Sequence, residues 1–167
     1  MNRYLYFAVF SSGMTTLALE LAASRLIGVA FGTSNLVWAS IIGLILIYLT
    51  IGYFIGGWWA DRSPRADTMY QIMAWSAFTA GLAPLLARPV LALASNAFDQ
   101  LQLGILIGSF TAVLILFSVP VTLLGAISPF AIRLAITDPL RAGKTSGTIY
   151  AISTLGSFVG TFLPVLV

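Results

Sequence analysis

Apolar residues run along this chain almost without interruption, and polar residues gather at a few breaks between the runs. Each run approaches the roughly 20 residues a helix needs to cross about 30 Å of hydrocarbon. The pattern predicts five helices, near 4 to 30, 35 to 59, 68 to 87, 101 to 127 and 147 to 167. Together they make one all-α integral membrane domain spanning residues 1–167. The first run is too long for a signal-peptide core and is followed by more of the same kind, so it reads as a retained membrane anchor.

The breaks set the connections. Phe31-Gly32-Thr33-Ser34-Asn35 is a short turn of small polar residues, which makes the first two helices an antiparallel hairpin. The stretch from Ala60 to Asp67 is the most polar in the chain and contains Pro64, so it is a surface loop. The third span carries Pro84 and is expected to end near Arg88-Pro89, leaving Val90 to Gln102 as a weakly amphipathic segment along the membrane surface. The fourth run passes Pro120 and continues through Gly125 to Pro129 and Arg133. It is expected to kink or break there, either as a simple bend or as a broken helix whose freed carbonyls form a site inside the bundle. The sequence stops within apolar Phe162 to Val167, which reads as a piece of a longer membrane domain.

Composition removes several classes of function. Hydrophobic residues make up 59% of the chain and charged residues 8%, with a mean hydropathy of +1.01, which excludes an ordinary soluble domain. The net charge of +3 is scattered singly, so there is no basic patch to bind nucleic acid. Neither His nor Cys is present, so the usual zinc, copper and haem ligands and the commonest general base are missing. No metal site, no cofactor and no catalysis by this chain alone are expected. Under the alternation of spans, Arg3, Arg62, Arg65, Arg133, Arg141 and Lys144 fall on one side and Arg25 and Arg88 on the other. The richer side is expected to be cytoplasmic, with the N-terminus there, as in a bacterial inner membrane protein.

Against this background Glu20 and Arg25 stand out, because both lie within the first span, where an ionisable group is costly. They are about 140° apart around a helix, so they do not pair with each other. Arg25 sits about 31 Å along the helix from Tyr4, near the far interface, where it either snorkels to headgroups or serves a site. Glu20 is deeper, about 24 Å from Tyr4, and has a shorter reach. It is protonated, hydrogen-bonded between helices or exposed to an internal aqueous cavity, and either holds two helices together or contacts a cationic ligand or a proton. Arg133, on the other side of the membrane, reads as an interface anchor.

Glycines four apart occur at Gly28/Gly32, Gly52/Gly56, Gly104/Gly108, Gly143/Gly147 and Gly156/Gly160. Such pairs let helix backbones approach closely where lipid supplies no hydrophobic drive. They serve internal packing, or one of them, Gly156/Gly160 above all, docks another chain or a further helix.

The second span closes with Gly57-Trp58-Trp59-Ala60-Asp61-Arg62-Ser63-Pro64-Arg65, which resembles the G-x-x-x-D-R-x-G-R loop between the second and third helices of major facilitator transporters. The resemblance implies a compact facilitator-like bundle and a gating role at helix ends for Asp61, with Arg62 as its partner; Pro64 stands in place of the usual glycine. A wider match is carried by Gly13-Met14, Leu19-Glu20 and Arg25-Leu26, then Gly56-Gly57 to Asp61-Arg62, Leu123-Leu124-Gly125-Ala126 with Pro129, and Gly147 to Tyr150 with Leu155-Gly156 and Gly160. This resembles the membrane region of spermidine-synthase-like membrane proteins, described as fusions of a facilitator-like region with an aminopropyltransferase domain. Ser153 stands where many members have Asn.

That resemblance implies a non-catalytic module that anchors the enzyme or delivers a small cationic substrate, with Glu20 as the buried acidic contact. The enzyme's Gly-rich nucleotide loop and acidic polyamine site have no counterpart in these residues, so the resemblance implies either a membrane module whose synthase domain lies in sequence beyond Val167 or a relative that lacks the enzyme half. Two alternatives stand beside it. One is a partial facilitator-type transporter that pairs with a second bundle, and the other is an accessory subunit that packs through its glycine faces against other membrane subunits or itself.

Overall fold

A computed structural model describes residues 3–98 and 104–166, and all five expected helices are present in it. They are α1 (Arg3–Phe31), α2 (Asn35–Arg62), α3 (Ala66–Phe98), α4 (Gly104–Ala135) and α5 (Ala142–Leu166), with a single 3-10 turn at Pro139–Arg141. No strand occurs among the described residues. Each helix contains a stretch long and apolar enough to cross a membrane.

Local chemistry explains the ends. Gly32 takes a φ of +80°, which closes α1 while its N–H donates to the Gly28 carbonyl at 2.9 Å. Ser34 then caps α2, its hydroxyl accepting from the Val37 N–H at 3.4 Å. Pro64 stops α2, and the Ser63 N–H reaches back to the Trp59 carbonyl at 2.9 Å. Before α5, Asp138 accepts from the Leu140 N–H at 3.0 Å and Pro139 opens the 3-10 turn.

Two expectations about proline need correction. The third helix does not end at Arg88-Pro89, and no separate surface segment begins at Val90; α3 continues through Pro84 and Pro89 to Phe98. Residues 99–102 of the expected segment lie outside the described residues. Nor does the fourth helix break, because α4 runs through both Pro120 and Pro129 to Ala135. A proline forfeits one backbone hydrogen bond but does not stop a helix whose flanking residues are held by packing. Ala87 and Ala94 on α3 are buried in the core with Val90 and Leu91 against it, and Ile127, Phe130 and Ala131 on α4 are buried on both sides of Pro129. The fifth helix likewise begins at Ala142 rather than near residue 147.

The core lies in two clusters stacked along the bundle. One joins the start of α1, the end of α2, the start of α3 and the end of α4 through Val9, Ala60, Met69 and Phe130. The other joins the opposite ends through Ile27, Ile41, Ala87 and Val113. This is an up-and-down arrangement in which α4 contributes to both clusters and packs against α2, α3 and α1. The fifth helix lies outside that group, mainly against α1.

Glycine sets the spacing at both principal contacts. A side chain at Gly52 would collide with the Thr122 carbonyl, and one at Gly56 with the backbone of Ala126. Across the same seam, a methyl on Gly125 would meet the Leu49 carbonyl oxygen at 2.8 Å. At the other contact, Gly156 lies against the Phe10 carbonyl, Gly160 against the Met14 carbonyl and Gly13 against the Ser153 carbonyl. The Ser157 hydroxyl donates across it to the Gly13 carbonyl at 3.1 Å. Gly156 and Gly160 therefore serve internal packing, and α1 occupies the face expected to receive another chain. Gly104 and Gly108 are buried, with Gly108 against Phe31 and the Ala94 carbonyl. Gly143 and Gly147 face open space.

Candidate functional site

The first helix places its polar residues at intervals of four. Ser12, Thr16, Glu20 and Ser24 follow one another along α1, which stacks them on one side of a helix. Two of the hydroxyls turn back to the helix itself: Thr16 donates to the Ser12 carbonyl at 2.9 Å and Ser24 to the Glu20 carbonyl at 3.0 Å. The Glu20 side chain is partly exposed, and it has no ion pair or side-chain hydrogen bond among the described residues. Its carboxylate is thus open to a group from outside the bundle.

Arg25 is engaged elsewhere. Its guanidinium donates to the Pro164 carbonyl in the last turn of α5, so it satisfies one of the carbonyls that a helix end leaves without an intrahelical partner. Glu20 and Arg25 do not pair, as their angular separation requires.

The loop motif is brought together differently from the expectation. The Arg133 Nε lies 3.2 Å from an Asp61 carboxylate oxygen, joining the ends of α2 and α4. Arg62 is not the partner of Asp61; its guanidinium lies over the Trp58 ring, 3.8 Å from the centroid. The physical reason is helical geometry, since adjacent residues point about 100° apart while the α4 terminus runs directly beside Asp61. Trp59 packs edge-on against Phe130 with centroids 6.4 Å apart, fixing the same two ends. Arg65 is exposed and forms no ion pair among the described residues. Gly57 sits beside Pro129, where an added methyl would find it in ordinary contact at 3.9 Å.

Pro120, Gly125 and Pro129 do not form a broken-helix site. Gly125 is part of the α2 seam, and the Pro120 carbonyl accepts from the Ser76 hydroxyl of α3 at 3.3 Å. That bond borders a feature the sequence reading missed. A cleft of about 90 Å³ opens between α1, α3 and α4, lined by the hydroxyl residues Ser11, Ser12, Thr15 and Ser76 together with Met73, Ala77, Leu124 and Ile127. The signal was present in the paired spacing Ser11/Thr15 and Ser12/Thr16, but only the assembled bundle adds Ser76. A second missed group is Tyr48, 7% exposed in the core, whose hydroxyl has no hydrogen-bond partner among the described residues.

No group of three or more Asp or Glu side chains capable of holding a metal ion occurs among the described residues. A hollow of about 400 Å³ is lined among the described residues by Ala39, Ser40, Leu106, Ile107 and Phe110; it is mostly apolar, and its one hydroxyl, Ser40, donates to the Leu36 carbonyl at 2.9 Å. No family model, curated protein or solved structure matches this chain.

Proposed function

We propose that this chain is a non-catalytic integral membrane module that holds a small cationic ligand at Glu20, in the manner implied by its resemblance to the membrane region of spermidine-synthase-like proteins. The observation that carries the reading is the Glu20 carboxylate, set within an apolar helix and without a cation beside it among the described residues. An ionisable group at such a position is costly unless it is paired or hydrated. A ligand bearing an ammonium group supplies the missing charge. The cluster of Arg62, Arg65, Arg133, Arg141 and Lys144 at the end of the bundle where α1 begins supports a cytoplasmic placement of that end, in a bacterial inner membrane.

The test is equilibrium binding of radiolabelled putrescine and spermidine to the protein in lipid nanodiscs, alongside Glu20→Gln. We expect saturable binding by the native chain and a loss of at least about tenfold in Glu20→Gln, the scale of a charge-assisted contact. Equal binding by the two proteins, or none by the native chain, overturns the proposal.

A second reading, a partial facilitator-type transporter, is favoured by the Asp61–Arg133 pair, which links two helix ends as a gate contact would. It predicts pairing of two bundles around a midplane site.

A further inference from the structure

We infer that the hydroxyl cleft between α1, α3 and α4 holds water in the plane of the bilayer, and that the four-residue ladder on α1 leads that water to Glu20. The depth of the cleft follows from helix geometry. At about 1.5 Å of rise per residue from the helix ends at the same end of the bundle, Ser11 lies about 12 Å along α1, Ser76 about 15 Å along α3 and Leu124 about 16 Å along α4. These depths agree, and they match half of the roughly 30 Å hydrocarbon thickness.

The cleft is built for a neutral hydrogen-bonding occupant. Ser12 is 6% exposed, and its hydroxyl has no protein partner among the described residues although it lines the cleft. The Ser11 hydroxyl is also without one. Thr15 donates to the Ser11 carbonyl at 2.8 Å and Ser76 to the Pro120 carbonyl at 3.3 Å, so their oxygens turn only acceptor capacity to the cleft. Two free hydroxyls and two acceptors suit water, and about 90 Å³ is well above the roughly 10–15 Å³ that one water needs. A bare cation fits poorly, because no carboxylate lines the cleft and hydroxyl dipoles alone do not repay the desolvation of an ion.

From Ser12 the route follows the ladder. Successive positions four apart are about 6 Å apart along the axis, which one water spans with two hydrogen bonds of about 2.8 Å. Thr16 stands midway between Ser12 and Glu20. Hydration by this route keeps Glu20 charged while its cationic ligand is away; that consequence rests on the reading of Glu20 above, whereas the hydrated cleft rests only on the bilayer placement of the bundle.

The chain contains no cysteine, so single cysteines report directly on water. The experiment places Ser11→Cys, Ser12→Cys, Thr16→Cys and Glu20→Cys in liposomes and measures reaction with an uncharged methanethiosulfonate bearing a hydroxyethyl group. Leu46→Cys, an exposed apolar position on α2, is the lipid-facing control. Because the thiolate is the reacting species, we expect the four ladder and cleft positions to react about 100-fold faster than Leu46→Cys or more. If Ser11→Cys and Ser12→Cys stay as inert as the control yet react once unfolded in dodecyl sulfate, the inference is overturned. Reaction at those two positions but not at Thr16→Cys or Glu20→Cys overturns the link to Glu20. Rapid reaction of Leu46→Cys as well overturns the bilayer placement itself, and none of these outcomes depends on whether an amine ligand binds.

Discussion

The Asp61 carboxylate meets Arg133, distant in sequence, at 3.2 Å, while Arg62 beside it covers Trp58. The pair ties α2 to α4 where the two helices leave the bundle. Its side chains are 76% and 47% exposed, so solvent screens the attraction. We expect a double-mutant cycle with Asp61→Asn and Arg133→Gln to give a coupling of about 0.2–1 kcal/mol that shrinks with added salt. Thermal unfolding in mild detergent measures it. A coupling that is large and insensitive to salt would show that lipid or another chain shields the pair.

The α1–α5 seam gives a sharper expectation. Backbone carbonyls of Phe10 and Met14 leave no room for a side chain at Gly156 or Gly160. Gly156→Leu should cost about 1–3 kcal/mol or prevent α5 from docking, as overpacking does elsewhere. Gly143→Ala, where nothing lies within reach of the new methyl, should be neutral or gain up to about 1 kcal/mol from helix propensity. Titration into dodecyl sulfate, followed by tryptophan fluorescence, compares the two, and equal effects would contradict the seam.

These two contacts show what could be read in advance. The five helices, the hairpin turn at Gly32 and the internal use of glycine pairs follow from apolar run length, turn residues and spacing, all of which are local. Pro89 and Pro129 misled because their effect depends on tertiary packing around Ala94 and Phe130, which no local pattern displays. The partner of Asp61 and the cleft at Ser76 were illegible for the same reason. Each joins residues on different helices, and periodicity describes one helix at a time. Glu20 was legible as an anomaly, but its lack of an ion partner emerges only once the neighbouring helices are in place.

Arg25 provides a test of how the far end of α5 is held. Its guanidinium binds the Pro164 carbonyl, the one side-chain hydrogen bond between α1 and that last turn among the described residues. Arg25→Met keeps most of the aliphatic stem and removes the donor. We expect a cost of about 1 kcal/mol, and faster amide hydrogen exchange confined to the residues around Phe162 to Leu166. Exchange that rises equally throughout α1 and α5 would instead mean that Arg25 supports the whole seam.

Tyr48 poses the opposite problem, a polar group whose removal should help. It is 7% exposed, packed in the core cluster with Leu44, Ile45 and Leu116, and its hydroxyl lacks a protein partner among the described residues. A buried hydroxyl without a hydrogen bond costs about 1–3 kcal/mol relative to one that is satisfied, so replacing it with hydrogen relieves the penalty at almost constant volume. Tyr48→Phe should therefore raise the unfolding midpoint, with a gain of up to about 1–3 kcal/mol. Tyr48→Ala should instead lose about 3–5 kcal/mol through the cavity it leaves, which confirms that the ring is core. The decisive outcome is the sign for Tyr48→Phe measured in lipid. A loss of stability there would mean that the hydroxyl is engaged in the membrane by water or a ligand, and it would mark Tyr48 as a second polar position in the interior, apart from the ladder on α1.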